Sequence, residues 1–433
     1  MSRIVGIHGR EVLDSRGNPT LEVQAALEDG ARGVAIVPAG ASTGTHEAAE
    51  LRDGELNRYH GKGVTMAIKS VEWEITQVLI GLEASDQTLV DDTLIRFDQT
   101  PNKRRLGANA ILGVSMAVAR AAAESARLPL YRYLGGAAAN ELPVPMVNIM
   151  SGGIHGGGNF DFQDFMMVPL QAGNYSEALA DVHAVYRAAK DVLKERGVYS
   201  AGVADEGGYA PRLRTNESGF DVMVEAMERA GLEPGRDAAI AVDVAASHLL
   251  QGGMYRLQIS DEDLRSEDLV ERLANCVDRY PIIAIEDGLD EEDWEGWKRL
   301  TDRLGDQCLL IGDDLFVTHL DRLGRGIEEG IGNAVLVKMN QIGTLTEALD
   351  VVSQARRNGY QPVISARSGE TEDDFIADLA VATGASLIKI GAITRSERLA
   401  KYNRLKRIEK ELGRHALYRG AEVFAGVLEG KNG

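Results

Sequence analysis

In the second half of the chain, six short apolar runs each end on or beside a charged residue. They read AAIAVD, IIAIED, CLLIGDD, AVLVK, PVISAR and SLIKIG, and their charged residues are Asp243, Glu286, Asp313, Lys338, Arg367 and Lys389. Three acids followed by three cations at comparable positions call for a divalent cation, a base and a place for an anionic substrate. A hard ion such as Mg²⁺ takes oxygen ligands and keeps sites open for water and substrate. Three carboxylates that converge without an ion would repel one another. One such acid alone would read as a helix cap after a strand, but three in register favour a metal. Lys338, held at an apolar strand end near other cations, is expected to have a lowered pKa and to serve as a base; the bland alternative is a snorkelling lysine. Lys389 aims at the same mouth. Arg367-Ser368-Gly369 offers a fork, a hydroxyl and an amide suited to phosphate.

Further candidates lie upstream. Glu206 sits in the glycine-rich turn DEGG, where the backbone can approach a ligand, and it could act as a general acid. His155 in GGIHGGG has glycine on both sides, which predicts a mobile loop rather than a packed core. Ala41-Ser42-Thr43-Gly44 reads from composition as a plain surface loop, with a lid over the site as the functional alternative.

Successive gaps between the six charged residues are 43, 27, 25, 29 and 22. A strand, a return helix and two loops need roughly 25–30 residues, so the rhythm is that of a β/α barrel, whose chemistry sits at the C-terminal face. Strand-like runs in PVPMVNIMSGG and FQDFMMVPL, with another before DEGG, bring the total to about the eight that closure requires. They are less regular, which predicts an imperfect barrel start. Helical periods mark 174–196 and 218–230. Before the barrel, residues 4–13, 20–27 and 32–38 predict a three-stranded antiparallel meander, and 62–81 and 108–126 predict helices. The expected fold class is therefore α/β, with an α+β capping domain over residues 1–136 and a (β/α)8-type barrel over 137–433. The late segment SERLAKYNRLKRIEKELG predicts an amphipathic helix whose charges form a solvated face.

The bulk numbers agree with a soluble two-domain chain. Its 433 residues are 44% hydrophobic and carry a net charge of −19. That charge argues against nucleic-acid or membrane partners, so a phosphate site must be a local cationic island. The two cysteines, Cys276 and Cys308, have no metal-type spacing, which fits a reduced, cytoplasmic setting. No signal peptide or membrane span is expected.

The strings LDSRGNPT, GASTG, LGANAILGVS, DEGG, IEDG, DDLFVT, VKMNQIGTL, RSGETED and RSERLAKYN, in this order over nearly the whole chain, resemble the enolase family. The resemblance implies two Mg²⁺ ions. Asp243, Glu286 and Asp313 would hold the first, and Ser42 the second together with the substrate phosphate. It further implies Lys338 as base, Glu206 as general acid and Lys389 as partner of the substrate carboxylate. Arg367 and Ser368 would bind phosphate, and His155 would contact substrate from a closing loop. Homodimers or larger homo-oligomers are also implied.

Certain positions depart from the family pattern. Ala366 stands where histidine precedes RSGETED, and Asp164 stands where FQDFM normally carries glutamate. Ala39, Gly288 and His248 replace serine, proline and glutamate. Ala366 and Asp164 would both open room beside the leaving hydroxyl. The substrate expected from this is a 2-phosphoglycerate analogue such as carboxyphosphonoglycerate, dehydrated as in the enolase-like carboxyphosphonoenolpyruvate synthase of phosphonate biosynthesis. The alternatives are a glycolytic enolase and a non-catalytic binding protein on the same scaffold. Racemisation or cycloisomerisation would need a lysine pair on an early strand, where this chain reads VADEGG.

Overall fold

The computed structural model describes residues 2–41 and 44–432. The chain opens with three strands, β1 (Ile4–Leu13), β2 (Pro19–Leu27) and β3 (Arg32–Ile36), paired antiparallel in sequence order. The β1–β2 turn is built on Asp14, whose Oδ1 accepts from the amides of Arg16 (2.8 Å) and Asn18 (2.9 Å). Gly17 supplies the positive φ of +73° that this turn needs. Helix α1 (Ala108–Ser125) lies across the meander. It is rich in alanine and almost wholly buried, so backbone can press on backbone. The closest approach is at Gly33 of β3, where a Cβ would stand 2.0 Å from the Ala117 carbonyl oxygen. The predicted helix at 62–81 runs through residues 65–79, with a π-helical stretch at Ser70–Ile75.

Eight strands close the barrel: β4 (Val144–Ser151), β5 (Asp164–Pro169), β6 (Ala238–Asp243), β7 (Ile282–Glu286), β8 (Leu309–Gly312), β9 (Ala334–Val337), β10 (Gln361–Ser365) and β11 (Leu387–Gly391). The expected fold class is the observed one. The irregular start has a definite form, because β5 runs antiparallel to both β4 and β6 while the other pairs are parallel. Its first residue, Asp164, therefore lies at the mouth, opposite Asp243 at the end of β6. The long gap between Asp243 and Glu286 holds a small three-stranded antiparallel sheet spanning 250–264. Helices α2 (Tyr175–Glu195) and α3 (Glu217–Arg229) fall within one residue or so of their predicted spans.

The inward faces of the strands explain where the chemistry sits. Val144, Met146, Met166, Val168, Ala239, Ala241, Leu309, Ile311, Ala334, Leu336, Val363 and Leu387 fill the barrel with apolar side chains, and Val423 and Phe424 join them. Strand side chains alternate with period two. One step further toward the mouth on the same face come Asn148 after Met146, Asp164 before Met166, Asp243 after Ala241 and Lys389 after Leu387. A polar layer thus rests directly on an apolar plug, and almost all of it is buried.

The late helix α4 (Ser396–Leu412) is not merely a solvated face. Arg398 and Lys401 are 0% and 1% exposed. Arg398 donates to the carbonyls of Arg367, Ser368 and Ile390 at 2.7–2.8 Å, and Lys401 to that of Thr371 at 2.6 Å. Strand ends that leave carbonyls without ladder partners need buried donors, and α4 provides them. No helix is long and apolar enough to cross a membrane among the described residues. Replacing Gly33 by alanine forces β3 and α1 apart. Stability is expected to fall by about 1–3 kcal/mol, read as a lower denaturant midpoint in equilibrium unfolding.

Candidate active site

Most of the charged residues singled out from sequence meet at the barrel mouth, but as ion pairs rather than as one open cluster of acids. The Lys389 ammonium lies 2.9 Å from Asp243 Oδ2 and 2.7–2.8 Å from both oxygens of Glu286. Lys338 donates to Asp313, which also accepts from Gln341 Nε2 at 2.8 Å. Asp243 and Glu286 are in parallel register on β6 and β7. Asp313 and Lys338 follow β8 and β9 by one residue, and Lys389 sits within β11 and reaches up.

The electrostatics show a site short of positive charge. Burial pushes the Glu286 carboxyl well above its ordinary range, and the neighbouring Asp243 and Asp313 push it further. Burial would drive the Lys389 ammonium down, but Asp243 and Glu286 hold it well above its usual value. Buried oxygen ligands and no sulfur form a donor set that suits a hard divalent cation. The donor chemistry fits the magnesium that the family implies, but the ligand atoms that lie within 4.8 Å of one another belong to Asp287, Asp313 and Asp314 and to His155, Asp164 and Glu206, while Lys389 and Lys338 separate the acids of the three strand ends. Asp243, Glu286 and Asp313 would hold it. Ser42, expected to ligate a second ion, lies outside the described residues.

The base needs a correction. Lys338 was expected to carry a lowered pKa, yet it is raised. Burial, Arg367 and Lys389 all push it down, but the carboxylate of Asp313 in direct contact outweighs them. Asp313 itself is lowered, because Lys338, Lys389 and Arg367 overcome the effect of its burial.

Across the mouth lies a second group. His155 Nδ1 is 3.1 Å from Asp164 Oδ2, and Asp164 Oδ1 accepts from Asn148 Nδ2 (2.8 Å) and Ser151 Oγ (2.6 Å). Only 6% of the His155 side chain is exposed, so the ring is docked although its loop is full of glycine. Burial lowers its pKa, but Asp164 and the more distant Glu206 and Asp243 more than reverse this. Glu206 accepts from Asn148 Nδ2 at 3.1 Å. Burial would raise the Glu206 carboxyl, but Arg398, His155, Lys389 and Lys338 together hold it low. Its position depends on Gly207, whose φ is +89° and whose Cβ would come within 2.7 Å of Thr394 Oγ1. The Gly207 carbonyl accepts from Tyr186 and Thr394.

The phosphate-type residues lie where β10 ends. Arg367 donates to both oxygens of Glu47 at 3.0 Å and to Asn340 Oδ1 at 2.9 Å. Ser368 Oγ accepts from the Ala41 amide at 2.6 Å, and Ala39 pairs with Gly369 through both backbone bonds. Thr45 donates to Glu291. The residues flanking Ser42 and Thr43 are thus bonded to the barrel, while Ser42 and Thr43 themselves, and with them the surface-loop or lid reading, lie outside the described residues. Ala366 donates its amide to the Lys389 carbonyl and is buried.

Sequence reasoning missed several partners. Asp287 accepts from the amides of Asp313 and Asp314, both at 2.9 Å, and so orients the acid after β8. Gln163 reaches Asp243 Oδ2 at 3.3 Å. Asn148 and Ser151 hold Asp164. The doubled acids in IEDG and GDD were a signal for Asp287, whereas Asn148 and Gln163 look like ordinary residues beside a strand.

An α+β cap fastened over a closed barrel, with acids and lysines paired at the mouth, is the build of a magnesium-dependent lyase. Two family models match the chain: "Enolase, N-terminal domain" over residues 4–134 and "Enolase, C-terminal TIM barrel domain" over residues 139–427. The chain belongs to the enolase family.

Replacing Lys389 by methionine removes the cation from between two buried carboxylates. The metal-free protein is expected to lose roughly 3–5 kcal/mol. Added Mg²⁺ should raise the Tm of the variant more than that of the parent, read by thermal unfolding in EDTA and in Mg²⁺. Replacing Gly207 by alanine should leave the barrel folded but lower kcat by about 10²-fold through misplacement of Glu206, read by steady-state kinetics beside circular dichroism.

Proposed function

We propose that this protein catalyses the Mg²⁺-dependent elimination of water from a 2-phosphoglycerate-type acid to give an enolpyruvate. The observation that carries this reading is the buried layer in which Lys338 and Lys389 pair with Asp313, Asp243 and Glu286 while Glu206 stands across the mouth. Removing a proton beside a carboxylate puts a second negative charge on that group. Bound magnesium supplies positive charge that stabilises this dianion more than the ground state.

The chain's own residues do the rest. Lys338 accepts the α-proton when its contact with Asp313 is released, in surroundings where burial, Arg367 and Lys389 all favour the neutral amine. Lys389 holds the substrate carboxylate. Arg367 exchanges Glu47 for the phosphoryl group, with Ser368 beside it. Glu206 protonates the departing hydroxyl after the substrate's negative charge raises its proton affinity.

We further propose that the preferred substrate is an analogue such as carboxyphosphonoglycerate, dehydrated to carboxyphosphonoenolpyruvate in phosphonate biosynthesis. Two features support this. Ala366, buried after β10, ends at its Cβ where the family pattern has histidine, and Asp164 accepts from Asn148 and Ser151 of β4. A glycolytic role on 2-phosphoglycerate would use the same catalytic residues.

Replacing Ala366 by histidine should raise the turnover of 2-phosphoglycerate relative to carboxyphosphonoglycerate by about tenfold or more, measured as initial rates on each substrate. An unchanged ratio would count against the pocket reading. Appearance of enolpyruvate absorbance only when Mg²⁺ is present separates an enzyme from a non-catalytic binding protein.

A further inference from the structure

Asn148 is fully buried on the inward face of β4, one step above Met146 and two above Val144. Its neighbours in that layer are charged, yet it carries no charge. Its single amide nitrogen donates to two different carboxylates, Asp164 Oδ1 at 2.8 Å and Glu206 Oε2 at 3.1 Å. Its own carbonyl Oδ1 is buried and has no hydrogen-bond partner. A buried acceptor left unpaired is destabilising, and a residue kept only for packing here would be apolar, like those beneath it. The amide is oriented by what it donates, at the expense of what it could accept.

The consequence is a division of labour between two acids that would otherwise compete for one proton. Asp164 has Oδ1 held by Asn148 and Ser151 and Oδ2 held by His155. The Asn148 amide and the Ser151 hydroxyl both donate to Oδ1, while burial pushes the Asp164 carboxyl up. Among the described residues Glu206 is engaged through Oε2, by Asn148, so a proton on this carboxyl belongs on Oε1.

We propose that Asn148 is the positioning residue of the elimination step, which bridges Asp164 and Glu206 and fixes Glu206 with Oε1 presented to the leaving hydroxyl. This rests on the reading of Glu206 as the proton donor. In that step Lys338 takes the α-proton, and the electron pair left on the α-carbon forms the double bond. The C–O bond breaks with its pair going to oxygen, and the Glu206 proton completes the departing water. Asn148 itself gains and loses nothing.

The two halves of this reaction can be read separately. Loss of deuterium from C2 of labelled 2-phosphoglycerate into water reports Lys338, and enolpyruvate formation reports Glu206. With full-length Asn148→Leu and the near-isosteric Asn148→Asp in saturating Mg²⁺, deuterium loss should stay within about twofold of the parent while kcat for elimination falls about 10²-fold. KM should move little. Thermal unfolding of both variants controls for folding. Elimination unchanged in either folded variant, or exchange and elimination falling together in both, would overturn the proposal. A parent enzyme that shows neither exchange nor elimination would instead overturn the functional reading beneath it.

Discussion

Like charges buried together at the top of an apolar plug constrain everything else in this molecule. Asp243, Glu286 and Asp313 are nearly inaccessible, and burying charge in such a place is costly unless it is paired. Lys389 and Lys338 meet that demand directly. The same pairing with Asp313 raises the Lys338 ammonium above its ordinary value against burial, Arg367 and Lys389.

The scaffold makes such a layer tolerable. Strand alternation places the polar residues one step above Met146, Met166, Ala241 and Leu387, so the plug below excludes water from the floor. Arg398 and Lys401 of α4 satisfy carbonyls beside β10 and β11 that would otherwise be stranded. Asp287 aims the backbone of Asp313 and Asp314. The cap closes the other side through Ala39, Ala41 and Thr45, which bond to Gly369, Ser368 and Glu291. Most of these contacts join residues far apart in sequence, so the mouth is a meeting of elements rather than the product of one motif.

The two acids on the far side illustrate how geometry separates similar groups. Asp164 and Glu206 share one asparagine donor, yet Asp164 also accepts from Ser151 and meets His155, whereas Glu206 is engaged on Oε2 by Asn148. His155 belongs to the first of these environments. Its glycine-rich loop suggested mobility, but the ring is docked because Asp164 offers a buried anion within hydrogen-bond reach. Flexible backbone on either side is compatible with a fixed side chain when one strong partner is present.

The sequence by itself determined the barrel rhythm and the cap meander. It also determined the chemical identities at the mouth, because period, spacing and residue type are properties of the chain alone. Asp243, Glu286, Asp313, Lys338 and Lys389 were legible for that reason. Only the tertiary structure decided that β5 runs backwards and so brings Asp164 to the mouth. It also decided that Lys338 is held protonated by Asp313, that Arg398 is buried rather than solvated, and that Asn148 stands between two acids. Strand direction leaves no mark on a two-residue period. Charge pairing depends on distances through space between segments whose separation along the chain carries no such information.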